Sequence, residues 1–440
     1  MIARFPYAEL RFREDGQLED ARSLDALIKE VKDQNLTDLF VFSHGWNNTS
    51  AMAHKIYEEF FGEVRKLLED QRYPRRRAAT IGTVGVVWPS ILWPEDDPSS
   101  SGGGAASMGS GGTDSDLFTE LRKVFTSPEQ QRVLDELAQL LDQQSDNLVD
   151  VERFRARLRD LIGASTASES SLDNLELQGV LYEGDDWTEM YEALGDQELS
   201  EISGGGAAGF RDRIANLWRG ARGALRTATY WQMRERAGIV GRVGLGPVIG
   251  RLHQACPDIK VHLVGHSFGA RLVSYALTSL PQPPLNGKSP VKSLLLLQGA
   301  FSHYAFAQQL PHDRNRSGDL AGVVSRVDGP LMATHSAKDL ALANSYPIGS
   351  ILAHQDAAAT QEFVSERWGA MGYDGAKAVG AQEAQLGSAG ASYNFQAGKW
   401  LNLDGNMVIV NGGPPSGAHS DIIHPHTAWA ALAGAGILGN

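Results

Sequence analysis

The feature that most constrains this chain is a short glycine-flanked turn, Gly265-His266-Ser267-Phe268-Gly269. Residues 259–264 before it are apolar and rich in β-branched side chains, which is typical of a buried strand, whereas residues 270–275 fit a helix. A strand that passes into a helix across so tight a turn leaves no room for side chains two residues either side of the serine, and both positions are glycine. The pattern predicts a strained strand–turn–helix unit whose serine hydroxyl projects from the turn.

Other apolar runs recur along the chain as continuous stretches with helical segments between them. Continuous runs, as opposed to alternating ones, indicate strands that are covered on both faces. The sequence therefore predicts an α/β fold with a mostly parallel central sheet flanked by helices. A helix is expected over residues 51–68, and strands are expected over 39–43, 83–88, 293–297, 330–334 and 407–410.

Two stretches interrupt this alternation within what we predict to be a single domain, residues 1–440. A large, mainly helical insertion is predicted over 94–230; it contains a Gly/Ser-rich segment, 99–112, and is a candidate cap or lid over the serine. Its amphipathic helices include one with Leu134, Leu137, Leu140 and Leu141 on one face. A second, smaller insertion over 357–402, rich in Gly, Ala and Gln, is expected to separate the last two strands.

Composition excludes several classes of function. A net charge of −13 argues against nucleic-acid binding, and the single cysteine excludes a disulfide framework or a multi-cysteine metal site. No metal-ligand spacing occurs among the 12 histidines, so neither a metal nor a cofactor is expected. No transmembrane run or N-terminal signal is visible, which favours a cytoplasmic location by default, with export by a signal-less route as the alternative.

A serine hydroxyl becomes an effective nucleophile when a histidine takes its proton and a carboxylate orients that histidine. With an elbow of this kind the acid and then the histidine follow the serine along the chain. His419 lies in a Gly/Pro-rich loop after the predicted strand 407–410 and is the candidate base, with His424 as the alternative. Asp339 follows the strand 330–334 and is the candidate acid, although it also suits the N-cap of a helix over 340–344. Asp421 is a poorer candidate because it is only two residues from His419.

The developing oxyanion requires two backbone N–H groups. One is expected from Phe268, directly after the serine. The other is expected from Trp46, because His44-Gly45-Trp46 follows an apolar strand and the glycine lets the backbone turn toward the serine. The alternative for this segment is an ordinary turn that leads into a helix, and both readings are compatible.

At these residues the chain resembles the α/β-hydrolase superfamily, of the lipase/esterase kind with a GHSFG nucleophile elbow. The resemblance implies an eight-stranded, mostly parallel sheet, a catalytic triad of Ser267, Asp339 and His419, and cleavage of small-molecule or lipid esters through an acyl-enzyme. Amidase, thioesterase and acyltransferase chemistry use the same triad, and a non-catalytic hydrolase-like binding scaffold is a further alternative. Chain-length preference and oligomeric state stay open.

One part of the large insertion is rich in arginine. Its arginines are interleaved with aromatic and aliphatic residues, which fits either a basic helix that contacts a membrane surface or a packed helix with its arginines in solvent. The second interpretation is the commoner one and is favoured. The arginines are Arg211, Arg213, Arg219, Arg222, Arg226, Arg234 and Arg236.

Overall fold

The computed structural model describes residues 1–90, 114–163, 187–200, 210–280, 289–344, 369–413 and 416–439. Its eight strands form one sheet in which every neighbouring pair is parallel, in the order β1-β3-β2-β4-β5-β6-β8-β7. The predicted α/β class with a parallel sheet flanked by helices is confirmed. The strands are β1 (Tyr7–Arg11), β2 (Asp38–Ser43), β3 (Ile81–Val87), β4 (Lys260–His266), β5 (Val291–Leu297), β6 (Leu331–His335), β7 (Gln382–Gln385) and β8 (Trp400–Asp404).

The helices of the described residues connect these strands or belong to the large insertion. They are α1 (Arg22–Asp33), α2 (Ser50–Glu69), α3 (Asp114–Val124), α4 (Pro128–Gln143), α5 (Leu148–Gly163), α6 (Trp187–Ser200), α7 (Phe210–Ile239), α8 (Gly246–Ala255), α9 (Phe268–Ala276), α10 (Leu340–Asn344), α11 (Met371–Asp374) and α12 (Pro425–Gly434). A π-helical segment, Val240–Leu245, joins α7 to α8.

The central strands are buried on both faces, as their continuous apolar runs predict. Every residue of β2 and β3 is buried. Helix α2 begins at the N-cap Thr49, whose side chain accepts the Met52 N–H, and packs its apolar face onto the sheet core beside Phe42. The parallel register pairs Ser43 with Gly265, so the carboxyl ends of β2 and β4 lie side by side. The loops that follow these two strands therefore meet at one edge of the sheet.

The expectation of a final strand over residues 407–410 is wrong. Met407 and Val410 are 83% and 43% exposed, and the Val408 and Ile409 N–H groups both bond to the Gly405 carbonyl in a turn. The place beside β6, on the side away from β5, is taken by β8, which precedes this turn. The buried Asn402 interrupts the apolar pattern of β8 and hid it from sequence analysis. Both β7 and most of β8 lie within 357–402, the range expected to be an insertion between strands.

The chain divides into two compact units, one of residues 1–89, 235–345 and 366–440 and the other of 90–234 and 346–365. The second unit contains α3 to α6 and most of α7, so its described part is helical, as predicted for 94–230. The four leucines predicted to share a face of α4 are all buried. The Gly/Ser-rich segment 99–112 lies outside the described residues.

The arginines of α7 differ from one another in their surroundings. Arg213 is exposed and forms an ion pair with Glu192, whereas Arg219, Arg222 and Arg226 are half-buried. The interpretation that all the arginines point into solvent is wrong for two of them, since Arg234 and Arg236 are buried; the Arg211 side chain lies outside the described set. Among the residues that the structure describes, no helix is long and apolar enough to cross a bilayer.

Candidate active site

Ser267 lies at the turn between β4 and α9 in a strained backbone conformation. Its φ of 56° and ψ of −123° belong to a region that side-chain-bearing residues rarely adopt. Three backbone hydrogen bonds stabilise this conformation. The Ser267 N–H donates to the Leu297 carbonyl (3.1 Å), and its own carbonyl accepts from Ala270 (3.0 Å) and Ala300 (3.3 Å). The turn is thus supported by the end of the neighbouring strand β5.

The glycines around the serine are required by close backbone contacts. A Cβ on Gly265 would lie 2.4 Å from the Gly269 carbonyl oxygen, and one on Gly269 would lie 2.1 Å from the Ser43 oxygen. A Cβ on Gly45 would lie 2.7 Å from the Ser267 Cβ. All three distances are shorter than a carbon–carbon or carbon–oxygen contact allows, so a side chain at any of these positions would displace the turn. The loop after β2 therefore lies directly against the serine.

Three side chains that are far apart in the sequence form a continuous hydrogen-bond chain at this edge of the sheet. His419 Nε2 lies 2.8 Å from Ser267 Oγ, and His419 Nδ1 lies 2.8 Å from Asp339 Oδ2. Because an ionised carboxylate only accepts, Nδ1 carries the imidazole proton and Nε2 is left to accept from the serine hydroxyl. The His419 side chain is 14% exposed and that of Asp339 is fully buried. The arrangement allows a proton to pass from the serine to the imidazole.

Asp339 makes both of the contacts that its position suggested. Its Oδ1 accepts the Leu342 N–H at 3.1 Å and so caps the first turn of α10. Its Oδ2 accepts from His419 and also from Gln298 Nε2 at 2.9 Å. The two oxygens are therefore used separately, and the cap does not compete with the histidine. Sequence analysis missed Gln298, since nothing in its local pattern reveals a bond to a residue 41 positions away.

The His266 side chain holds the backbone of His419, the candidate base. Its Nε2 donates to the His419 carbonyl at 2.9 Å, and the two rings are 5.0 Å apart. Burial, with a smaller contribution from His419, lowers the pKa of His266 to about 3. The His266 ring is thus neutral at physiological pH and places no positive charge next to His419.

His44 orders the loop that carries Gly45 and Trp46. Its Nδ1 donates to the Gly45 carbonyl (2.8 Å), its Nε2 accepts the Trp88 N–H (3.4 Å), and its ring stacks on the Trp88 indole. The Trp88 Nε1–H in turn donates to the His44 carbonyl at 3.0 Å. Burial lowers the pKa of His44 to about 4, which keeps the ring neutral and able to accept.

The two residues expected to supply oxyanion-binding amides both adjoin the serine. Phe268 is the first residue of α9, where N–H groups have no acceptor within the helix itself. Trp46 follows Gly45, and its ring centre lies 6.1 Å from that of Phe268.

Asp421 and His424, the alternatives to Asp339 and His419, bond to each other and to the turn after β8. Asp421 Oδ2 accepts the Val410 and Asn411 N–H groups at 2.9 and 2.8 Å, and its Oδ1 pairs with His424 Nε2 at 2.9 Å. His424 is the N-cap residue of α12. The pair thus holds the turn after β8 to the start of the last described helix, away from the hydrogen bonds of Ser267.

A second serine–histidine–aspartate set lies within the sheet, and sequence analysis did not anticipate it. His262 Nδ1 lies 2.9 Å from Ser293 Oγ, and His262 Nε2 lies 2.9 Å from Asp38 Oδ1. Arg77 also binds the Asp38 carboxylate. Burial alone would raise the pKa of Asp38, but hydrogen bonds from Arg77, His262 and Thr37 outweigh it and hold that pKa below its ordinary value. Burial lowers the pKa of His262, so the pair is a carboxylate with a neutral imidazole.

The described part of the chain contains no group of three or more His, Cys, Asp or Glu side chains placed to bind a metal ion. Comparison of the chain with protein-family models, with curated proteins and with solved structures returned no match.

Proposed function

We propose that this protein is a serine hydrolase of the α/β-hydrolase superfamily that cleaves carboxylic esters through an acyl-enzyme. The observation that carries the proposal is the hydrogen-bond chain from Ser267 Oγ through His419 to Asp339, with 2.8 Å at each step. The strained turn supports it independently, because a chain retains such a conformation only where the surroundings over-determine it. Small-molecule or lipid esters are the proposed substrates, and no cofactor enters the reaction.

In the first half of the reaction Ser267 Oγ attacks the ester carbonyl as His419 Nε2 takes the hydroxyl proton. The carbonyl oxygen becomes an oxyanion, which the Phe268 and Trp46 amides stabilise. When the intermediate collapses, the bond from carbonyl carbon to alkoxy oxygen breaks, and His419 gives its proton to the departing alcohol. An acyl group is then bonded to Ser267 Oγ.

In the second half a water replaces the alcohol. His419 Nε2 takes a proton from the water as its oxygen attacks the acyl carbon, and the proton returns to Ser267 Oγ as the acid leaves. Asp339 stabilises the imidazolium formed in each half and keeps the Nδ1 proton on its own side of the ring. The serine, histidine and aspartate thus end in their starting states.

The proposal is tested by labelling and hydrolysis with the full-length protein. A fluorophosphonate probe should label the wild-type chain on the peptide that contains Ser267, and short p-nitrophenyl esters should be hydrolysed. Ser267→Ala should lose both, with hydrolysis reduced by about 10⁴-fold or more. Ser274→Ala is the matched control, because Ser274 is a buried serine of α9, the helix that follows Ser267, and its hydroxyl bonds to the Ala270 carbonyl.

A folded wild-type protein that is inert to probe and esters alike would overturn the proposal and favour the binding scaffold. Hydrolysis of anilides or thioesters in preference to esters would keep the serine mechanism and change the leaving group to an amine or a thiol. Transfer of the acyl group to an added alcohol in preference to water would identify an acyltransferase.

A further inference from the structure

We propose that Gln298 is a positioning residue for the reaction, one that holds the Asp339 carboxylate in the orientation His419 requires. This inference rests on the proposed function and concerns the same site. Gln298 Nε2 donates at 2.9 Å to Asp339 Oδ2, the oxygen that also accepts from His419 Nδ1. The amide therefore binds the very atom that orients the base.

The orientation of the Gln298 amide is fixed by bonds on its other sides. Its Nε2 also donates to the Gly372 carbonyl at 2.8 Å, and its Oε1 accepts the Thr334 hydroxyl at 3.0 Å. The same Thr334 oxygen accepts the Gln298 backbone N–H at 3.1 Å. Two acceptors, the Asp339 carboxylate and the Gly372 carbonyl, face Nε2, so rotating the amide by 180° would place Oε1 against both and break two bonds at once. The side chain presents an N–H to Asp339 in one orientation only.

The backbone at this position is strained in a way that serves the contact. Gln298 is fully buried and has a φ of 46°, in the left-handed region that favours glycine. It directly follows β5, whose last residue, Leu297, accepts the Ser267 N–H. One turn after β5 thus supports both the nucleophile and the acid. Strain of this kind is kept where a particular side-chain position is needed.

Two substitutions separate a positioning role from a packing role. Gln298→Met keeps the length of the side chain and removes the donor, so Asp339 can turn away from His419; we expect kcat/KM to fall about ten- to hundredfold, chiefly in kcat. Gln298→Glu places a second carboxyl beside Asp339. Two carboxyls in contact share one proton at low pH, which keeps the net charge of the wild type and supplies an O–H donor. Relative to wild type, the activity of Gln298→Glu should therefore fall as the pH rises and the pair loses that proton.

The matched control is Gln385→Met. Gln385 Nε2 also donates to an aspartate, Asp404 Oδ2 at 2.8 Å, but it is exposed on the edge strand β7. This variant should retain wild-type kcat/KM and pH profile. It removes the same type of bond from the same sheet without a contact to Asp339.

A spectroscopic measurement tests the inference without hydrolysis. The His419 Nδ1 proton, bonded to a carboxylate, should give a far-downfield proton resonance that is absent in His419→Gln and displaced in Gln298→Met. An unchanged resonance in Gln298→Met, or variant activities that match wild type per folded molecule at every pH, would overturn the positioning role. A folded wild type that is inert to both the fluorophosphonate and the esters would instead overturn the proposed function, and the resonance would still report on Gln298.

Discussion

Ser267–His419–Asp339 and Ser293–His262–Asp38 contain the same three residue types with closely similar hydrogen-bond lengths, yet only one set is placed for chemistry. Ser267 lies in a strained turn beyond a strand end, whereas Ser293 is the third residue of β5 and pairs with His262 within the sheet, next to a register shift between Val261 and His262. The His419 side chain is 14% exposed and that of His262 only 1%. Within a strand, moreover, the backbone N–H groups bond chiefly to the neighbouring strands. Residue types and distances alone therefore do not define an active site.

The two sets also differ in the hydrogen-bond partners of their aspartates. Asp339 Oδ1 caps α10, and its Oδ2 binds the His419 and Gln298 side chains. Asp38 binds Arg77 in addition to His262, and Arg77 also donates to the Ala435 carbonyl near the end of the described chain. The second set thus joins β2, β4 and β5 to the segment that follows α12. We infer a structural role for it, and the comparison predicts that substitutions lower kcat in the first set and leave it unchanged in the second.

The largest effect is expected from the matched pair Asp339→Asn and Asp38→Asn. Asp339→Asn should lower kcat by about 10³–10⁴-fold in the folded protein, because an amide can hold the imidazole in the wrong tautomer. Asp38→Asn should keep the kcat of its folded fraction and lower the unfolding free energy by about 2–3 kcal/mol, since Arg77 and His262 lose their anion. Ester hydrolysis and urea denaturation measure the two quantities. A large loss of kcat in folded Asp38→Asn would break the distinction between the sets.

The pH dependence of stability provides the next largest effect. Burial lowers the pKa of His44, His262 and His266, so each takes up a proton more readily when unfolded. The stability they confer is complete above the unfolded pKa of about 6.5 and is lost as the pH falls toward their folded pKa values. Each contributes up to about 1.4 kcal/mol per pH unit in that range. Between pH 6.5 and 4.5, His262→Gln should therefore show a shallower loss of unfolding free energy than wild type.

Hydrolysis provides the control for that measurement. The acid limb of the ester pH profile should be the same in His262→Gln and wild type, because His262 bonds to Ser293 and Asp38 within the sheet, whereas His419 bonds to Ser267 and Asp339. Equal slopes of stability against pH in the two proteins would show that His262 is already protonated in the folded state.

The smallest effect is expected from Ser293→Ala. This change removes the hydroxyl that donates to His262 Nδ1 and leaves a buried acceptor unpaired, which costs about 1 kcal/mol. Fluorophosphonate labelling and kcat should stay within about twofold of wild type. Reduced labelling of fully folded Ser293→Ala would show that the Ser293–His262–Asp38 set affects the reactivity of Ser267.

The residues of the candidate site that could be predicted from the sequence are those that follow the ends of strands. Ser267, Asp339 and Gly45 each follow an apolar run, and parallel strands bring their carboxyl ends to one edge. His419 was found by its place in a loop near the end of the chain, although the strand assigned before it was wrong. Side chains such as Gln298, and the partners of His262 at separations of 31 and 224 residues, could not be found, because their bonds depend on register and on rotamers that no local pattern encodes.

The long reach of the hydrogen-bond chain at Ser267 also bears on how the protein folds. His419 bonds to partners 152 and 80 residues away, and closing loops of that length requires the strands between them to be in place. Topologies dominated by such distant pairings fold slowly. A refolding chain should therefore regain helix content well before it regains the bonds of His419 to Ser267 and Asp339, and on the proposed function the recovery of hydrolysis should report that late step.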